Sequence, residues 1–441
     1  MSRISRRDLM HLGMGAAAGA ALAATPLRRP AAQADLRLPL EEGANLRLLR
    51  WEAFVEGDQQ GWLANTRQFT EATGVNVEIE SVPWPQVSDR ALRIAAAGSG
   101  PDIVLGFFDD PHLYPDRLLD LSLVAIDLGG RYGGWYPICE RYATRLGRWI
   151  ALPLGSSGVA MVYRDSHMRE AGFDAFPEDT DGFLALCRAL ADKGTPPGMA
   201  LGHAVGDANT WTHWLLWAFG GKLADQGGNV VIDSAQTHAA LAYARELYQT
   251  FVPGTTEWED VHNNEAFLAG DISLTNNGLS IYQSASGDPA LAEVAADIRH
   301  ARMPIGPVGE TTELHLLTQA MVFAHTPYPN AAMEYLRFMW ERERYEPWQL
   351  EASGYVTQPL AGYEDNAVWG KDPAYEAYQG ATARMLWNGY AGDLGPASAA
   401  TMADYVVVDM FADAASGELT PEEAAARAED RALEYYEADR P

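Results

Sequence analysis

Between residues 45 and 106 the spacing of apolar positions switches repeatedly between two periods. Residues 46–51 form a short apolar run that predicts a strand. Over residues 58–73, Trp62, Thr66 and Phe69 recur at helical spacing, and Gly74 ends the pattern. Val75, Val77 and Ile79 then alternate with Asn76, Glu78 and Glu80, the period of two expected of a strand. A second helix is predicted over residues 86–97. The turn Gly98-Ser99-Gly100-Pro101 follows, and Asp102-Ile103-Val104-Leu105 reads as a short buried strand. Strands alternating with helices predict a parallel sheet with crossover helices, and such sheets bind ligands beyond the carboxyl ends of their strands. Those ends are Trp51-Glu52 and Phe107-Phe108-Asp109-Asp110.

Farther along, the pattern is mostly helical. Thr180 is the expected N-cap of a helix over residues 181–193, and Ser234 or Ala235 opens another that runs to Phe251. Thr420-Pro421-Glu422-Glu423 places a capping residue, a first-turn Pro and a Glu three positions after the cap, ahead of a long Ala-rich helix. The chain shows no internal repeat and no low-complexity linker. Its 441 residues, 47% hydrophobic and 21% charged, suit a globular protein of two domains.

Charge narrows the partners. The formal net charge is −28, with only three lysines (Lys193, Lys222, Lys371). So acidic a surface repels phosphate backbones and anionic membranes, which disfavours nucleic-acid binding. Two cysteines, Cys139 and Cys187, exclude a disulfide scaffold. Cys187 shares an apolar stripe with Phe183 and Leu190, which favours a buried free thiol; a Cys139–Cys187 bridge is the alternative.

At the N-terminus, Ser5-Arg6-Arg7-Asp8-Leu9 precedes an apolar run over residues 12–24 and then Ala32-Gln33-Ala34. Charged, apolar and small-residue regions in that order read as a cleavable signal covering residues 1–34. Its apolar run is shorter than the ~20 residues that cross a bilayer. The paired arginines resemble the twin-arginine export motif, with Met10 in place of its frequent lysine. The expected mature protein is soluble in the periplasm after cleavage near Ala34.

Several stretches, taken in order, resemble the family 1 extracellular solute-binding proteins, the group of maltose-binding protein and many sugar receptors of ABC importers. Ala97-Gly98-Ser99-Gly100-Pro101-Asp102-Ile103-Val104 resembles the family's turn into its third strand. Gly147 to Pro153 and Gly158 to Arg164 resemble its G-x-x-Y-A-L-P segment and crossing strand. Asn264 to Leu274 is similar to its A-F-x-x-G helix and strand, with Ser273-Leu274 replacing Ala-Met. Met303 to Pro307 and Tyr328 to Leu336 resemble the P-x-G loop and a late helix.

The resemblance implies an α/β fold of two hinged lobes, each a mostly parallel sheet flanked by helices and each built from discontinuous segments. One lobe would comprise residues 44–160 and 319–350, the other 161–316 and 351–441, with crossings near residues 158–162 and 316–320. It also implies closure over a small guest. The implied partners are a sugar or polyol and the transmembrane subunits of an ABC permease, with the protein itself a monomer.

Sugars combine hydroxyls with weakly apolar C–H faces, so their receptors need flat aromatic platforms and convergent polar groups. Candidate ligand-binding residues are Trp51, Glu52, Phe108 and Asp109 at strand ends, and Ser156 and Ser157 between two glycines. Asn276 and Asn277, whose carboxamides donate and accept at once, follow another strand. Glu313, Tyr355 and Trp387 complete the set with Trp211, which opens the cluster Trp211, Trp214, Trp217 and is the one of the three freest to enter a cleft.

No catalytic or metal-ligating set is expected. H-E-x-x-H, C-x-x-C, a P-loop and G-x-S-x-G are all absent, and no cofactor fingerprint occurs. An exported hydrolase is the enzymatic alternative. Within the same fold, a cationic solute would require several buried carboxylates around aromatic rings, and an anionic one an Arg in the cleft, for example Arg50 or Arg384.

Overall fold

The computed structural model describes residues 37–439. The expected export signal lies outside the described residues. Strands β1 (Asn45–Trp51), β2 (Asn76–Val82) and β3 (Ile103–Phe107) form where the apolar pattern places them. All five residues of β3 are buried, and it sits inside the sheet, whereas β2 is half-exposed along its length and lies at an edge. The intervening helices Glu56–Thr73 and Pro85–Ala97 each end on a glycine in the left-handed conformation, Gly74 and Gly98.

A two-residue ribbon, β4 (Thr144–Arg145) with β5 (Arg148–Trp149), precedes β6 (Leu152–Ser157) and β7 (Ala160–Arg164). The remaining strands are β8 (Leu274–Asn277), β9 (Ile298–Ala301), β10 (Leu316–Val322) and β11 (Val356–Thr357). They assemble into two sheets, of order β11-β6-β10-β3-β1-β2 and β8-β7-β9. Two lobes follow, one around each sheet, as expected.

The direction of pairing differs from the expectation of mostly parallel sheets. Only β2, β1 and β3 are parallel neighbours; β10, β6 and β11 join antiparallel, and the smaller sheet is antiparallel in every pair. The strand–helix alternation that predicts parallel pairing is confined to residues 45–107. Strands β10 and β11 return to the first sheet after a long excursion through the second and run opposite to β3, and β10 inserts between β3 and β6, which share a direction. Strand β11 pairs with β6, so residues 356–357 lie in the larger sheet although the expected boundary puts everything after 350 in the other lobe.

The chain passes between sheets at Gly158–Val159, and again between β9 and β10. A bulge fixes the first passage: Thr318 pairs with Gly155 and Gln319 with Pro153, leaving Leu154 as the extra residue. Gly155 has φ +136°, and a Cβ there would fall 1.9 Å from the carbonyl oxygen of Thr357, so only glycine fits. The bulge sets how Ser156 and Ser157 point.

The helix Thr180–Asp192 is capped by Asp179 rather than Thr180; its carboxylate accepts from the Gly182 N–H at 2.7 Å. The capping box at Thr420 and Glu423 forms reciprocally, at 3.2 and 3.0 Å. Cys139 and Cys187 are both buried free thiols, so the alternative bridge does not form. No helix among the described residues is long and apolar enough to cross a membrane.

Candidate ligand cleft between the two sheets

The site is built where the carboxyl ends of larger-sheet strands face the start of the helix Asp207–Ala218. That helix begins on three amide groups directed at one side chain. The Asp260 carboxylate accepts from the N–H of Val205, Gly206 and Asp207 at 2.8, 2.9 and 2.9 Å. Such a cap satisfies donors that the first helical turn leaves unpaired. Asp207 itself is 7% exposed, and its Oδ2 accepts from Asn263 Nδ2 at 2.8 Å and from Asn277 Nδ2 at 3.5 Å.

Burial pushes the Asp207 carboxyl well above the usual carboxylate range, and the neighbouring Asp260 charge adds to the shift. Asp260 is also raised by burial, with the three amide groups opposing.

Facing this helix start are residues of the larger sheet and its loops. Phe54, Trp84, Ser157 and Tyr355 close with Asp207 and Asn277 around a cavity of about 30 Å³. Trp84 lies just past the end of β2. One ring face stacks on Phe107 at 4.7 Å and 11°, and its Nε1 donates to the Glu52 carbonyl at 2.9 Å, so the indole is held rigidly. Phe54 leans against it at 5.2 Å. Beside the cavity, sharing Phe54, Trp84 and Asp260, lies an outer cleft of about 490 Å³, lined by Glu52, Phe54, Trp84 and Gln86 and by Glu259, Asp260 and Val261. The inner space has room for a water or two; the outer cleft has the volume of a small-molecule site.

Of the residues nominated from sequence, Glu52, Ser157, Asn277 and Tyr355 line this space. The others are placed elsewhere. Trp51 is 1% exposed behind Trp84, at 5.3 Å. Phe108 is buried, its carbonyl accepting from Gln319. Asp109 is buried and accepts from Asn388 and, at 3.1 Å, from Ser398, tying the end of β3 to the helix Pro396–Ala403. Burial raises its pKa to about 7, with those two bonds opposing.

Ser156 turns away from the cleft to Thr357 and Thr382, at 3.0 and 2.8 Å. Asn276 donates to the Asp207 carbonyl at 3.0 Å, one position out of phase with Asn277. Glu313 is a structural carboxylate at the second crossing. His315 bonds it at 3.0 Å and Arg384 at 3.3 Å, and His315 Nδ1 accepts from the Val159 N–H at 3.0 Å, which links the two crossings. Burial alone would raise the Glu313 pKa, but these partners hold it below the usual value.

Trp387 is half-buried in another region, donating to the Gly392 carbonyl at 2.7 Å beneath the Arg141 guanidinium at 4.0 Å. Trp211 is fully buried, as are Trp214 and Trp217, because all twelve residues of their helix are buried. Its expected place in the cleft is therefore not observed.

Among the lining residues that escaped the sequence reading are Phe54, Trp84, Asp207 and Asp260. Trp84 carried a usable signal, since it follows the end of β2 as Glu52 follows β1. Phe54, Asp207 and Asp260 carried none: the loops that bring them together are distant in sequence.

The model of the bacterial extracellular solute-binding protein family matches residues 65–377, most of the chain. The chain belongs to that family. Among curated relatives, this solute-binding protein is 22% identical over 335 residues to a probable ABC transporter-binding protein of Deinococcus radiodurans, covering 72% of this chain and 78% of the relative. Its fold is similar to that of a sugar transporter protein from Arthrobacter chlorophenolicus A6 with bound laminaribiose. That likeness has TM-score 0.76 and 16% identity, covering 89% of this chain and 99% of the other. An ABC transporter solute-binding protein from Agrobacterium vitis S4 with bound D-mannitol is similar at TM-score 0.73 and 16% identity, over 90% and 100% of the two chains.

Proposed function

We propose that this solute-binding protein is the receptor of an ABC importer, capturing a carbohydrate or polyol between its lobes and passing it to the transmembrane subunits of a permease. The observation that carries the proposal is the cleft itself: rigidly held aromatic rings on one wall, and hydrogen-bonding carboxylates and carboxamides on the other. Ring faces suit sugar C–H surfaces, and the polar wall suits hydroxyls that donate and accept. The bound laminaribiose and D-mannitol of the two structural relatives, and the name of the curated relative, support the same reading.

In this reading residues 1–34 direct export through the twin-arginine route and are removed near Ala34. The mature monomer works in the periplasm and hands its ligand on unaltered, with no catalytic step. The lobes comprise residues 44–160 with 319–350, and 161–316 with 351–441, apart from the strand Val356–Thr357 that completes the larger sheet.

A melting-temperature screen of the purified protein against neutral sugars, polyols, sulfonated sugars and polyamines tests this. A ligand at a hundredfold excess over its Kd stabilises the folded state by about 2.7 kcal/mol, enough for a rise of several degrees. At least one carbohydrate or polyol is expected to give it. A rise confined to solutes without a polyhydroxyl skeleton, or turnover of any of them, would overturn the proposal.

A further inference from the structure

The charge around the cleft is one-sided. Among the described residues its inner and outer walls carry four carboxylates, those of Glu52, Asp207, Glu259 and Asp260, and no Lys, Arg or His. The arginines that sequence nominated for an anionic ligand are matched elsewhere: buried Arg50 lies 2.5 Å from Asp58, and half-buried Arg384 lies 3.3 Å from Glu313.

The four carboxylates are not equivalent. Asp260 is committed to three backbone amides. Asp207 has one oxygen held by two carboxamides, and among the described residues its Oδ1 accepts nothing. On the facing wall Ser157 is 4% exposed, and among the described residues its hydroxyl has no hydrogen-bond partner of good geometry although the Tyr355 hydroxyl is its neighbour. A buried hydroxyl left in that condition is costly unless something else satisfies it. The rings of Phe54, Trp84 and Tyr355 line the same cavity as these two groups.

We infer that the captured solute is an amino sugar or amino polyol whose ammonium group sits between Asp207 and the aromatic rings of Phe54, Trp84 and Tyr355, with a hydroxyl of the solute satisfying Ser157. The inference rests on the sugar or polyol reading and narrows it. A neutral hydroxyl satisfies the hydrogen bonding of Asp207 but leaves its repulsion with Asp260 uncompensated. An ammonium group satisfies both, and the ring faces attract a cation by their quadrupoles. Burial raises the proton affinity of Asp207 and the Asp260 charge adds to it, and a bound cation would oppose both effects.

Calorimetric titration of the purified protein at pH 7 with matched pairs tests it: D-glucose and D-glucosamine, D-glucitol and 1-amino-1-deoxy-D-glucitol, and di-N-acetylchitobiose and its free diamine. In each pair that binds, the amine is expected to bind at least tenfold more tightly, and Asp207→Asn is expected to narrow the difference to less than threefold. The wild-type comparison stands even if that variant folds poorly. Equal or tighter binding of the neutral members overturns the inference and leaves the sugar reading intact, as does an amine preference that survives in a folded Asp207→Asn protein. Binding of spermidine alone overturns the sugar reading but keeps cation capture at this site, and binding of none of these probes or of any neutral sugar sinks both.

Discussion

Replacing Trp211 with Ala is expected to lower folding stability by about 3–5 kcal/mol, the range for removing a large aromatic side chain from a core. The ring is fully buried, and it meets Phe251 and Phe411 edge-on at 6.3 and 6.0 Å, which locks the helix Asp207–Ala218 to the helix Val406–Ser416. Its Nε1 donates to the Ala200 carbonyl at 2.7 Å. Alanine leaves a void and a buried carbonyl without its donor, and the two costs add. Denaturant unfolding measures the loss. A variant of unchanged stability that fails to bind ligand would place Trp211 in the cleft instead.

Trp84→Ala has the second largest expected effect, on binding. Truncating a central aromatic anchor in a desolvated site costs about 2–3 kcal/mol of affinity, roughly 30- to 150-fold in Kd. Trp84 lines both the inner cavity and the outer cleft, as Phe54 does, and its stacking on Phe107 holds it still before ligand arrives. Preorganisation of that kind spares the ordering cost of binding. Titration of the ligand found in the melting screen, at a temperature well below unfolding, measures the change. Affinity within threefold of wild type would remove Trp84 from the recognition surface.

The contrast between these two tryptophans shows what the sequence reveals and what it hides. Strands β1 to β3 and their helices are legible because each carries a complete local period and ends on a glycine or a turn. The rule that ligands gather past strand ends found Glu52, and applied to the end of β2 it also points to Trp84. Trp211 misled because a helix buried on every side has no apolar face to distinguish from a cleft face.

Adjacent pairs split for a simpler reason. In extended backbone, neighbours point to opposite sides, so Ser157 and Asn277 reach the cleft while Ser156 and Asn276 turn into the protein. Asp109 and Glu313, nominated as ligand contacts, are instead structural carboxylates whose partners Asn388, Ser398 and Arg384 lie about 70 to 290 residues away. No local pattern announces pairings over that range. The same holds for Asp207 and Asp260, brought together only when the loop before one helix folds over the start of another.

The inner cavity, at about 30 Å³, is too small for a sugar ring, so a ligand there requires the two lobes to part and close again about the crossings that Glu313, His315 and Val159 link. Small-angle scattering of the purified protein, free and saturated with the solute that raises its melting temperature most, tests that hinge directly. A smaller radius of gyration in the saturated sample is the predicted result. Superimposable profiles at saturation would contradict capture between closing lobes.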